Sequence, residues 1–231
     1  MKLFSRNKET SDPAVIIQNS LSAVVNRISE SFEDEKYHWT KPWGVKRFES
    51  MILAKFMMDY SFNGLADDKL KDDEKIAFIT LCSSSFSKLF NDEFSQIGLN
   101  FEDMQEELQQ KVDAYFDARR GSKPPSCWHS IYQLVTRSKS KEELEEDVKK
   151  KTAGLELIKG NENFAGMVPQ YESQIRMLKE KAGAFESAEM MLPHMVRFTK
   201  DKLRPINLKK IKALSKKLAK KDKSKKKGLS L

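Results

Sequence analysis

The chain has 231 residues and a formal net charge of +8, which is enough polypeptide for a sizeable core in one or two domains. Leu, Ile, Val and Phe account for 56 residues, about 24% of the chain and above the range of a wholly disordered one. Mean hydropathy is −0.62, and no apolar run approaches the ~18 residues of a bilayer span, so integral membrane classes are excluded.

The charge is unevenly placed. Lys200 to Leu231 holds thirteen lysines and one arginine against Asp201 and Asp222, a net +12, which leaves Met1 to Thr199 at −4. The pI of 9.2 therefore belongs to a basic tail on a mildly acidic body. The first residues, 1–10, read as a flexible N-terminus without the apolar core of a secretory signal, and Cys82 and Cys127 are too few for a disulfide framework. Both point to a cytoplasmic protein with reduced thiols.

The body, 11–199, reads as successive helices. Asp12 and Pro13 suit a helix start, and Ala14, Ile17, Leu21, Val24 and Ile28 then follow three- and four-residue steps up to the charged run at Glu33. An aromatic loop from Tyr37 to Gly44 leads to a second helix carrying Val45, Phe48, Ile52, Phe56 and Tyr60, with Asn63-Gly64 as its expected stop. A third follows Asp72, with the stripe Ile76, Ile79, Cys82, Phe86, Leu89 or Phe90, Phe94 and Ile97. Asn100 is the expected cap of a fourth, which carries Phe101, Met104, Leu108 and Val112.

The segment 119–125, Arg-Arg-Gly-Ser-Lys-Pro-Pro, is the clearest internal linker, either a subdivision of the body or an ordinary helix-to-helix connection. A short helix with Trp128, Ile131, Tyr132 and Val135 comes next. Ser140 and Glu143 then match a capping box that opens a sixth helix ending at Gly160. A long run from Val168 to Leu192 is expected to end or kink at Pro193. No segment sustains period-two alternation, so the expected fold is all-α, an irregular bundle of about seven helices with a basic, partly disordered C-terminal tail.

Catalytic signatures are missing. The three histidines are far apart, and Cys127 and His129 stand at i and i+2, which point in different directions on a helix. The glycines are scattered singly rather than gathered into a phosphate-cradling loop. Neither an enzyme nor a bound metal or cofactor is expected, although helical enzymes can assemble sites from residues distant in sequence. Asp67-Asp68, Asp72-Asp73-Glu74, Glu106-Glu107 and Glu142 to Asp147 read as helix starts and solvated faces, or as an acidic patch able to dock a basic partner or the protein's own tail.

The tail, 200–231, carries the main signal. Leu208, Ile211, Leu214 and Leu218 step as one apolar face of an amphipathic helix at about 206–221, with Lys209, Lys210, Lys212, Lys216, Lys217, Lys220 and Lys221 mostly on its other faces. Asp222 to Gly228 is lysine-rich and expected to be disordered. Those seven lysines suit the phosphates of nucleic acid without sequence preference. The apolar face suits an anionic membrane surface instead, or docking on the body while the lysines keep the chain soluble. Trp39 and Trp43 are weaker candidates for base stacking or partner contact, their alternative being a lid packed on the core. The reading is a non-enzymatic interaction protein. Its tail binds an anionic polymer, with nucleic acid as the lead and an anionic membrane surface or a solubilising role as alternatives, and its helical body meets a protein partner.

Overall fold

The computed structural model describes residues 12–33 and 41–228, with 221–228 described by their backbone. Among these residues eight α-helices follow in order: α1 (Pro13–Glu33), α2 (Trp43–Ala66), α3 (Asp72–Phe94), α4 (Phe101–Gly121), α5 (Ser126–Thr136), α6 (Lys141–Lys159), α7 (Val168–Leu203) and α8 (Leu208–Gly228). Two 3-10 turns, Ser95–Ile97 and Glu162–Met167, lie between them. No strand occurs among the described residues, so the fold is all-α.

The helices sort into two units. One takes in the chain up to Ile28, Ser50–Val112 and the chain from Met195 onward; the other takes in Ser29–Glu49 and Asp113–His194. The divisions fall inside α1, α2, α4 and α7. The proline-bearing segment 119–125 lies wholly within the second unit, and α4 continues through Arg119 and Arg120 to Gly121. What reads as a linker is thus a short helix-to-helix connection, an ordinary length for neighbouring helices.

In the first unit α2 is buried on every side from Ser50 to Asp59. The one-sided stripe read from the sequence therefore understates it: Met51, Leu53, Ala54, Met57 and Met58 are as enclosed as Ile52 and Phe56. A helix with apolar residues all round belongs in a core. Asn63-Gly64 does not stop α2, which ends at Ala66, with Asp68 in the left-handed region at φ 62°. Aspartate is among the few residues that adopt this conformation readily. At Gly64 a Cβ would lie 3.4 Å from Lys200 Nζ of α7, an ordinary contact with the mobile end of a side chain.

α3 packs its aromatic side inward. Phe78 stacks on Phe62 of α2 with ring centroids 3.6 Å apart and planes 3° from parallel, while Phe86, Phe90 and Phe94 cluster with Phe101 at the start of α4. The stripe expected from sequence is out of phase at its ends: Ile76, Ile79 and Ile97 are 57%, 38% and 70% exposed. Ala77 and Phe78 occupy the buried positions instead, because the large ring fills the space facing Phe62. Asn91 Oδ1 accepts from Phe101 N–H at 2.7 Å, so the start of α4 is satisfied from α3, whereas the expected cap, Asn100, has its side chain 3.5 Å from Asp103.

In the second unit the capping box is as read. Ser140 Oγ accepts from Glu143 N–H at 3.2 Å, and Ser140 N–H donates to Glu143 Oε2 at 2.8 Å. Helix α7 runs through Pro193 to Leu203 rather than ending there. The helix α8 runs from Leu208 to Gly228; lysine is a good helix former.

This phase of α3 is directly measurable. Phe78→Ala should cost about 3–5 kcal/mol in denaturant unfolding, whereas Ile76→Ser should stay within about 0.5 kcal/mol. Equal losses at the two positions would contradict the packing described.

Candidate functional site

The basic helix α8 is reached by a short turn in which Asn207 Oδ1 accepts from Lys209 N–H at 3.0 Å, an N-cap that fixes where the helix begins. It packs on α3. Ile211 is fully buried, and Leu208 and Leu214 are half-buried. Leu218, further along the same face, is 37% exposed. Ser215 is buried, and its Oγ donates to Asp73 O at 3.1 Å.

The α3 end of this contact is acidic. Asp72, Asp73 and Glu74 form its first turn, where carboxylates complement the positive end of the helix dipole. Lys212 Nζ lies 3.5 Å from Glu74 Oε2. The Glu74 carboxyl is held below its ordinary value, chiefly by accepting from Lys71 N–H at 3.0 Å and further by the Lys212 ammonium. That support is present above pH 4.5 and is lost as the pH falls through the lower folded value.

With the apolar side turned inward, the outer side is left to lysine. Lys209, Lys216, Lys217 and Lys220 are exposed, while Lys210 and Lys212 are half-buried. Lys209, Lys216 and Lys220 are spaced by seven and four residues and so share one helical face, opposite Ile211. They span about 16 Å at 1.5 Å per residue. Beside this helix, Asp12 and, at the start of α1, Pro13 and Val15 face Lys210, Leu214 and Lys217 across a cleft of about 740 Å³. The Lys221 side chain lies outside the described residues.

The aromatic candidates separate. Trp43 is the first residue of α2, two residues earlier than the sequence placed that helix, and is 65% exposed. Trp39 lies outside the described residues. Among the histidines, His129 Nε2 lies 3.3 Å from Glu189 Oε2 and its ring meets Phe185 edge-on at 5.6 Å. Cys127 is buried on α5, two residues away along the helix.

Two buried polar clusters escaped sequence reasoning. In the first unit Lys55 and Asp59, one helical turn apart on α2, form an enclosed ion pair. Burial pushes the Asp59 carboxyl up against the opposing pull of Lys55, and its Oδ1 lacks a hydrogen bond, with the Cys82 thiol, a weak donor, close by. Burial also pushes the Cys82 thiol up, which keeps it unreactive. In the second unit the buried Glu49 accepts from Arg137 Nη2 at 2.9 Å and from Tyr115 OH at 3.4 Å. Burial first and Glu49 second raise the Tyr115 phenol well above its usual range. Arg137 itself is left-handed at φ 52° and ends α5, a common conformation at a helix C-terminus. The i,i+4 spacing of Lys55 and Asp59 is the only sequence signal for either cluster.

We find no match to the chain among protein families, curated proteins or solved structures. No helix among the described residues is long and apolar enough to cross a membrane.

Ile211→Ala should destabilise the first unit by about 2–5 kcal/mol, because it opens a cavity under α8. Glu74→Gln keeps an acceptor for Lys71 N–H and should have a far smaller effect, one that high salt erases. Lys55→Met should cost about 3–5 kcal/mol by stranding Asp59 in the core, and adding Asp59→Leu should restore most of it. Denaturant unfolding of the four variants checks all three expectations.

Proposed function

We propose that this chain is a non-enzymatic helical interaction protein, working in the cytoplasm, whose α8 lysines contact nucleic acid without sequence preference. The observation that carries the reading is the division of α8 into two sides. Ile211, the centre of its apolar face, is spent on the body, and Lys209, Lys216, Lys217 and Lys220 face solvent. Insertion into a membrane surface needs the apolar face free, whereas non-specific phosphate binding needs charge alone. A row of ammonium groups about 16 Å long can follow a phosphate backbone, and lysine serves there as a flexible point charge rather than a base-reading fork.

The exposed Trp43 supplies an aromatic surface for a stacked base or a protein partner. The same docked geometry suits a tail whose lysines only keep the chain soluble, and binding measurements separate the two. With duplex DNA of arbitrary sequence, affinity should fall steeply as salt rises. Charge reversal at Lys209, Lys216, Lys217 and Lys220 together should weaken binding more than about tenfold and flatten the slope of log K against log salt by about 3–4. No binding at low salt, or a slope the four reversals leave unchanged, would contradict the proposal.

A further inference from the structure

The second unit carries a groove of about 510 Å³ between α6 and α7, inside the range of about 300–1,000 Å³ common for small-molecule sites. Its chemistry is uneven. Lys150 and Lys151 come from α6 and Lys181 from α7; against them stands one carboxylate, Asp147, already engaged by Lys139 at 2.6 Å. Lys150 has Glu146 at 2.7 Å on the outer surface. Lys181 is exposed and has no acidic partner among the described residues.

Two further features limit the ligand. Tyr171 is half-buried, with Lys151 Nζ 4.8 Å from its ring centroid. The ring lies so close to α6 that a Cβ on Gly154 would be 3.2 Å from Tyr171 Cε1, so the glycine makes room for an aromatic group in the groove wall. Beside it, Gln174 presents an enclosed amide oxygen with no hydrogen-bond partner. A buried polar atom without a partner is costly, and a ligand edge in the groove that draws the amide round so that its oxygen meets a donor would relieve it.

A simple anion would use the lysines and leave Tyr171 and Gln174 unemployed; an apolar ligand would leave the lysines and the amide so. A nucleobase joined to phosphate answers all three, offering a flat ring for Tyr171, polar edge atoms for the Gln174 amide in either rotation, and negative charge for the lysines. From this convergence we infer that the α6–α7 groove is a binding site for a nucleotide unit, free or as part of a strand. The site lies in the second unit and does not depend on the α8 lysines.

Calorimetric titration of the full chain with ADP, a hexaadenylate and inorganic pyrophosphate tests it. ADP should bind with one-to-one stoichiometry, and hexaadenylate should do so in the chain with the four exposed α8 lysines reversed. The pair Lys151→Glu and Lys181→Glu should weaken binding about tenfold or more, and Gln174→Leu about fivefold. Reversing the four exposed α8 lysines should change ADP affinity less than about twofold, because the short diphosphate of one nucleotide gains little from a non-specific row. The neutral pair Lys151→Gln and Lys181→Gln, with unchanged thermal unfolding, separates loss of the site from loss of the fold.

Hexaadenylate that competes with ADP and binds about tenfold tighter identifies a strand as the occupant; equal affinities identify the free nucleotide. The inference is overturned if neither binds saturably, or if pyrophosphate binds as well as ADP and Gln174→Leu makes no difference. Loss of duplex binding through α8 with intact ADP binding would overturn the proposed function alone.

Discussion

Helix α2 imposes the constraint from which the first unit follows. From Ser50 to Asp59 it has no side in water, so other elements must cover every face. Phe78 of α3 stacks on Phe62, Val196 O of α7 accepts from Ser61 Oγ at 3.3 Å, and the Lys200 side chain passes Gly64. The cost of this enclosure is electrostatic. Lys55 and Asp59 enter the core with the rest of the helix, and each is tolerable there only because the other neutralises it.

Once α3 is fixed against α2, its acidic first turn and the side chains next to it become the platform for α8. Ile211 supplies the apolar contact; the Ser215 hydroxyl and the Lys212 ammonium meet Asp73 and Glu74. Burial of Ile211 outweighs the ion pair, since a partly exposed pair is screened by salt and a filled core position is not. The consequence for function is orientation. Holding the apolar side of an amphipathic helix presents its lysine side, and that is the basis for reading α8 as a surface for phosphates.

Much of this was legible in the sequence, for reasons that can be stated residue by residue. The Ser140–Glu143 box and the step pattern of Ile17, Leu21, Val24 and Ile28 are local signals, and each reappears in the structure; of the α8 face, Ile211 is buried while Leu218 is exposed. What failed was decided by distant partners. Ile76 and Ile79 continue the α3 stripe on paper, but which side faces inward is set by where Phe62 lies on α2. Asn63-Gly64 looks like a stop, but the residues before it are held by Phe62 against Phe78 and by Ser61 against Val196, and α2 runs on to Ala66. The Tyr171 groove brings together two helices whose residues show no spacing that a sequence scan could pair.

The most direct test of the account is hydrogen exchange on the full chain, alone, with duplex DNA and with anionic vesicles. The account predicts that amides around Ile211 to Ser215 are protected in the free protein, and that DNA leaves this protection in place. An α8 that exchanges freely by itself and becomes protected only on vesicles would contradict it, because its apolar face would then belong to the membrane and not to α3.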